Sequence, residues 1–324
     1  MLSDVLRTIR LEGALFLNAE FQEPWCVDAP SGAVLAGLLH PSTQQLVVCH
    51  LVLEGRCWVQ LHGGEPVQLE AGDVVALPHG DSHLIGSGLQ HAPVAIDHVV
   101  QLQVPELTPL RYGGTGDRTI LVCGWFAYEH AVPNPLIASL PPLFAVPVGR
   151  RPSGPWIEQS VRSALDQATD RQPGFDAVAA KVAEMLFVEA LRGYLEALPA
   201  AQSGWLAALK DPQIGRCLAL LHHAPGQPWS VAALAREVHL SRSVLAARFT
   251  GLVGVPPMHY LARWRLASAA RLLGRERSNL ARIAEAVGYE SEAAFNRAFK
   301  REYGVSPGQW RRGAGPARRA AIGT

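Results

Sequence analysis

No run of 18 apolar residues occurs anywhere in the 324-residue sequence, and the one short apolar stretch near its start contains Glu12 and no small-residue cleavage site. Neither a membrane span nor a secretory signal is expected, and a cytoplasmic location is. Cysteine is scarce as well. Cys26, Cys49, Cys57, Cys123 and Cys217 are an odd number without a CxxC pair, which excludes a disulfide scaffold and fits reduced thiols. Charged residues make up only 18% of the chain against 48% hydrophobic residues, so a disordered or acidic-tail protein is excluded. A chain of this length exceeds the usual domain size and calls for at least two folded units. The net charge of +1 hides a division: residues 1–204 hold 11 Lys+Arg against 21 Asp+Glu, and residues 205–324 hold 18 against 7. Balances of −10 and +11 point to a second half built for a polyanion and a first half with another task.

In the acidic half, short β-branched runs alternate with turn residues: 46–53 before Glu54-Gly55, 57–61 before Gly63-Gly64, 67–69, and 74–77 before 78–80. A second group, 94–104 and 119–126, flanks the glycine-rich 113–116 loop. Strands at this spacing predict an antiparallel barrel or sandwich. Both faces of the 46–53 run are apolar, so it belongs inside the fold; His50 is its polar exception. After Pro133-Asn134-Pro135 and Pro141-Pro142 the pattern changes to helical spacing, through Trp156, Ile157, Val161, Ala164 and Leu165, then Val178, Val182, Met185, Leu186, Leu191 and Leu195. This segment is expected to be a connector, its stripes serving either as core or as a dimer contact.

The basic half contains a repeat. Leu234-Ala235 and Val238 recur as Ile283-Ala284 and Val287 at an offset of 49; Ser241, Leu245, Phe249, Gly254-Val255, Pro257 and Tyr260 recur as Ser291, Phe295, Phe299, Gly304-Val305, Pro307 and Trp310 at an offset of 50. The extra residue falls in the turn, where insertion costs least. Each copy reads as a short helix (231–238; 280–287), a turn, and a second helix opened by an N-cap serine, which is helix-turn-helix spacing. Gly288 suits a positive φ in its turn; His239 takes its place in the first copy. Leu245/Phe249 and Phe295/Phe299 are i, i+4 core pairs. Facing away are Arg242, Ser243, Ala246, Ala247 and Arg248 in one copy and Glu292, Ala293, Asn296, Arg297 and Lys300 in the other. Arg and Asn can grip base edges and small residues let a helix sink into the major groove, whereas Lys300, Arg301, Arg311 and Arg312 suit phosphates. A helix over 257–275, roughly 27 Å long at 1.5 Å per residue, would let one monomer reach two adjacent major-groove segments.

Two resemblances follow. Gly72-Asp73-Val74-Val75-Ala76-Leu77-Pro78-His79-Gly80-Asp81-Ser82-His83 resembles the second cupin motif. In the register of the first motif, Ser42 and Gln44 stand where the family has histidines and Val48 where it has glutamate, which leaves His83 alone of the metal set with His40, His50 and His79 nearby. A transition metal needs three or four converging ligands, so no metal and no cofactor are expected. The stretch from Ile283-Ala284-Glu285-Ala286-Val287-Gly288-Tyr289 through Phe295-Asn296-Arg297-Ala298-Phe299 to Gly304-Val305-Ser306-Pro307 resembles the AraC/XylS family signature, over about 211–312. Leu51-Val52-Leu53-Glu54-Gly55-Arg56-Cys57-Trp58 and Val122-Cys123-Gly124 are similar to the subgroup with an N-terminal cupin-type sensor. These resemblances imply a multidomain α and β chain: an antiparallel cupin-like β-barrel (1–148), a helical connector (149–204), an all-α DNA-binding domain with two helix-turn-helix units (205–312) and a basic tail (313–324). They imply a non-enzymatic bacterial transcription regulator, more often an activator, whose partners are promoter DNA, RNA polymerase, a small-molecule effector or oxidant, and a second copy as homodimer. His50, Trp58 and His83 are the candidate pocket residues, and Cys123 and Cys26 are the candidate redox-responsive thiols. Few basic residues lie near Cys123 to favour its thiolate, so a small ligand is preferred over oxidation. A metal-dependent cupin enzyme with a DNA-targeting domain is the alternative.

Overall fold

The computed structural model describes residues 11–39, 46–88, 90–99, 110–128, 134–170, 172–199, 204–275 and 279–314. The chain forms two compact units, one built from Leu11–Tyr128 with Leu140–Ala197, the other from Leu198–Thr324 with the short helix Pro135–Ser139.

The first unit holds eleven strands among its described residues: β1 (Leu11–Gln22), β2 (Cys26–Ala29), β3 (Leu46–Glu54), β4 (Arg56–Leu61), β5 (Val67–Glu70), β6 (Val74–Leu77), β7 (His83–Gly86), β8 (Val94–Ala95), β9 (Leu110–Gly113), β10 (Arg118–Tyr128) and β11 (Phe144–Val146). They form two sheets, ordered β11-β6-β3-β10-β1-β9 and β5-β4-β7-β2-β8. The expected antiparallel barrel is corrected on two counts. The outer strands of one sheet are not hydrogen-bonded to those of the other, so no barrel closes. Two pairs, β1 with β9 and β2 with β8, are parallel, because long crossover segments bring β8 and β9 back in the direction of their partners. Of the run expected over 94–104, residues 94–99 form the strand Val94–Ala95 and then a helical turn, Ile96–Val99; 100–104 lie outside the described residues.

Between the sheets lies an apolar core that includes Phe21, Trp25, Val52, Val59, Leu69, Val75, Ile85 and Leu121. β3 is buried on both faces, as its composition requires. One face meets this core. Beyond its other face lies a small apolar recess shared by Leu51, Leu53, Val148 and Ile157; α1 is Gly32–Leu39, and Ile157 belongs to α2 (Gly154–Thr169). Of the segment 149–204 expected as a connector, α2 and α3 (Phe175–Ala197) fall with the sheet unit and the residues from Leu198 on with the helical unit; 171 and 200–203 lie outside the described residues. α3 packs on the sheet, with Phe187 against Phe126 at 5.8 Å and Tyr194 against Phe144 at 4.6 Å between ring centroids; of its expected stripe Val182, Leu186, Leu191 and Leu195 are buried, whereas Met185 is half-buried and Val178 exposed. Gly193 permits this approach, since a Cβ there would lie 2.3 Å from Val146 Cγ1. Glu189, buried at 7% exposure, accepts from Ser153 Oγ at 2.7 Å and pairs with Arg192, which ties the entry to α2 onto α3.

The second unit is helical: α4 (Trp205–Lys210), α5 (Pro212–His223), α6 (Val231–Glu237), α7 (Arg242–Val253), α8 (Pro257–Arg275), α9 (Leu280–Ala286) and α10 (Glu292–Tyr303). The expected bounds of the 257–275 helix are observed. Leu245 and Phe249 are fully buried; Tyr260 closes the first cluster by accepting from Trp205 Nε1 at 3.1 Å and lying 2.7 Å from His222 Nε2. In the second cluster Phe295, Phe299, Tyr303 and Trp310 pack ring on ring, and removing either phenylalanine is expected to cost about 3 to 5 kcal/mol.

Candidate nucleic-acid interface and sensor core

The two halves of the repeat fold by the same local devices. Ser230 Oγ accepts from Ala233 N at 3.1 Å to start α6, and Asn279 Oδ1 accepts from Arg282 N at 2.8 Å to start α9. Ser241 and Ser291 start α7 and α10 by accepting from Val244 N and Ala294 N, each at 3.2 Å. Each orphan amide so satisfied is worth about 1 kcal/mol. Gly254 and Gly304 end these helices in the left-handed region, at φ of 84° and 73°.

The turns match too. Leu240 N donates to Ala235 O and Tyr289 N to Ala284 O, both at 2.9 Å, so α6 and α9 end in the same Schellman bond with His239 and Gly288 at the left-handed position. His239 reaches φ 55° there, the one non-glycine residue with positive φ among the described residues, and thus adopts the turn that Gly288 makes at 84°. The inserted residue is Glu290, placed between the Schellman turn and the N-cap.

Of the ten residues expected on the outward faces, Arg242, Ser243, Ala247, Arg248, Glu292, Ala293, Arg297 and Lys300 are exposed; Ala246 and Asn296 are half-buried. Val244, at 43% exposure, also faces out and was missed because it is apolar. Arg248 differs from the rest. Its Nη2 lies 2.5 Å from Asp211 Oδ2 and its Nη1 donates to Gln213 Oε1. Asp211 meanwhile caps α5, accepting from Gln213 N at 3.0 Å and Ile214 N at 2.9 Å. Burial pushes this carboxyl up, but the Ile214 and Gln213 amides and the Arg248 guanidinium outweigh it and hold the group below the ordinary range.

In the sheet unit, His50 and His83 meet inside the fold, Nε2 to Nε2 at 2.9 Å, with exposures of 6% and 1%. The protons can be placed from the partners. His83 Nδ1 lies 3.0 Å from the Asp81 carbonyl, which only accepts, so Nδ1 carries the hydrogen and Nε2 accepts from His50 Nε2. That leaves His50 Nδ1 as a buried lone pair without a hydrogen-bond donor. Burial pushes both imidazoles below their ordinary range, His50 well below, with His83 adding to the effect on His50. Cys123 is directly opposite His50 in the β3–β10 register, and Val75 is opposite it on β6.

Trp58 and Cys26 do not join them. Side chains alternate along a strand, and on β4 it is Cys57 and Val59 that face the core, which puts Trp58, paired with Gly86, on the other face. Cys26 likewise alternates with the core residue Val27. Strand parity therefore separates Trp58 from the two histidines, and it keeps Cys26, the other candidate redox thiol, away from Cys123. Burial pushes the Cys123 thiol up to about 12, and raises Cys49, Cys57 and, helped by Asp28, Cys26.

A cupin fold raises the question of a metal. The two Nε2 atoms are spent on each other, and no group of three or more His, Cys, Asp or Glu converges among the described residues. His40, Ser42 and Gln44 lie outside the described residues, and His79 Nε2 is 2.9 Å from the Leu140 carbonyl. These residues do not fit a metal ion.

Comparison with known proteins fits this division. The cupin family model matches residues 1–196 and the helix-turn-helix domain model residues 234–313. A Streptomyces lividans protein named as an AraC-like transcription regulator is 34% identical over 314 residues, 96% of this chain and 97% of its own length. One of the same name from Streptomyces antibioticus is 41% identical over 200 residues, 61% of this chain and 65% of that protein. The RCS-specific HTH-type transcriptional activator RclR of Escherichia coli is 31% identical over 196 residues, 60% of this chain and 68% of its own. No helix among the described residues is long and apolar enough to cross a membrane. With a cupin region followed by a helix-turn-helix domain, and a relative of that name matched over nearly its whole length, the chain belongs to the AraC-like transcription regulators and is a DNA-binding regulator of transcription.

Proposed function

We propose that one copy of this chain reads two adjacent major-groove segments with α7 and α10, as two helix-turn-helix units. The observation that carries the reading is the repeated frame: the same N-caps, the same Schellman turn and the same left-handed C-terminal glycine, twice, joined by the 19-residue α8. At 1.5 Å per residue α8 spans about 27 Å, which with the offset of each reading helix from its end approaches the ~34 Å between successive major-groove faces. In this reading Arg297 and Asn296 contact base edges in one segment and Arg242 in the other, while Lys300, Arg301 and Arg312 suit phosphates.

The cupin region is the sensor, and a small ligand rather than a thiol oxidant is its signal. The buried, raised thiols support this, since oxidant reactivity needs thiolate. A second reading, oxidation, is favoured by the likeness to a relative named as an RCS-specific activator. Activation through RNA polymerase, with the chain as a homodimer, completes the proposal; no catalytic step is assigned to it. The test is a hydroxyl-radical footprint of the full chain on duplexes selected from a random library. Two protected segments about one helical turn apart are expected; protection of a single segment would refute the two-unit reading.

A further inference from the structure

The two reading helices are alike in frame and unlike in charge. Counted from the shared core pair, Ala247 and Arg297 occupy equivalent outward positions, as do Thr250 and Lys300, and Gly251 and Arg301. The first helix is thus neutral at each place where the second carries a cation. Arg242 against Glu292 reverses this at the helix start, and Arg248 against Ala298 further along. The remaining cation of the first helix, Arg248, is held by Asp211 and Gln213 at the N-terminus of α5, whereas Arg297, Lys300 and Arg301 make no ion pair among the described residues. Asp211 is 16% exposed and already fixed as a helix cap, so it cannot follow a phosphate-bound Arg248 away from α5.

We infer that the units divide the work on DNA. The second supplies the cationic grip through Arg297, Lys300 and Arg301. The first, apart from Arg242 at its helix start, docks by an outward face that is neutral at Ser243, Val244, Ala247 and Thr250, and Asp211 is the positioning residue that fixes Arg248 off the DNA. This rests on the two-unit reading. Neutral contacts release no counterions and are insensitive to salt; each cation on a phosphate steepens the salt dependence by about 0.9 in log K per log salt.

The experiment measures that slope for the full chain on its selected duplex, with thermal unfolding and the footprint recorded for every variant. Replacing Arg297, Lys300 and Arg301 together by alanine is expected to make the slope shallower by roughly 2 to 3. Arg248→Ala is expected to leave it within about 0.3 of the parent, and Arg248→Met, which retains the apolar stem, serves if the alanine variant unfolds. An unchanged slope in the triple variant, or a loss of about 0.9 in a folded Arg248 variant, would overturn the division of work. Failure of the underlying reading is distinguishable, because the parent footprint would then cover one segment instead of two.

Discussion

Replacing Gly288 by alanine tests the claim that both turns use a left-handed residue. The native φ of 84° costs an L-residue about 1 to 2 kcal/mol, and alanine restricts the unfolded chain in return by about 0.4 to 1 kcal/mol. The larger part is steric. The new Cβ would stand 2.8 Å from Arg265 Cζ and Nη2 and 2.8 Å from Gly226 O, and the carbonyl is backbone that cannot step aside cheaply. Arg265 is held there because its Nε donates to Pro225 O and its Nη2 to Gln227 O, each at 2.7 Å. Losing one such charge-assisted bond costs about 1.5 to 3 kcal/mol, so the net effect is a destabilisation of about 2 to 4 kcal/mol. At the matching position His239→Gly relieves the strain of a φ of 55° while freeing the unfolded chain, and should change stability by less than about 1 kcal/mol. Calorimetry of the full chain measures both, the transition of the helical unit being the one that selected DNA raises. At roughly 4 °C per kcal/mol, Gly288→Ala lowers that transition by about 8 to 16 °C. A shift below 2 °C, or a His239→Gly loss as large as that of Gly288→Ala, would refute the equivalence of the turns.

The buried histidine pair gives the sheet unit a pH dependence. Folding holds His50 and His83 neutral, so the unfolded chain takes up protons first as pH falls below about 6.5; stability is level above that value and declines beneath it. Thermal unfolding between pH 8 and 5 should show this decline, and the double variant His50→Gln, His83→Gln should flatten it; an equal decline in both would reject the assignment. Asp28, His62 and Asp81 also act on His83, and the titration of the double variant separates their share. Arg297→Ala is expected to relax sequence preference at one or two base pairs by about 1 to 3 kcal/mol, and Lys300→Ala to weaken all sequences alike, as read by competition binding against single-base variants. With its thiol pushed up to about 12, Cys123 should not mediate an oxidant response: promoter output in the parent and in Cys123→Ser should be the same with and without hypochlorite. A response present in the parent and lost in the variant would make oxidation the signal.

What the sequence made legible depended on how far apart the causes lie along the chain. α8 and the N-caps of α7 and α10 were readable because a helix and its cap are set within a few residues, and the repeat stated each of them twice. β3 to β6 were readable from their turns. β1 was not, because a register shift between Glu12 and Ala14 breaks its alternation, and α1 (Gly32–Leu39) was not, because Gly-Ala-Val-Leu-Ala-Gly-Leu-Leu has no polar face to mark a period. The sites divide in the same way. His50 and His83 are 33 residues apart and on different sheets, and only the packing of one sheet on the other brings their nitrogens to 2.9 Å. Trp58 was grouped with them by nearness in sequence, whereas parity along β4 turns it to the opposite face.

Arg248 makes the point most sharply, because its helix, its exposure and its charge all suggested a DNA contact, and its partner Asp211 lies 37 residues upstream as the cap of another helix. A periodic pattern tells which way a side chain leaves its helix; it does not tell what already waits there. Positions whose equivalents differ between the two copies are therefore the informative ones. Arg248 stands against Ala298 and Ala247 against Arg297, so the copies share what the fold requires, the caps, the turns and the phenylalanine pair, and part where the contacts with DNA can be divided between them.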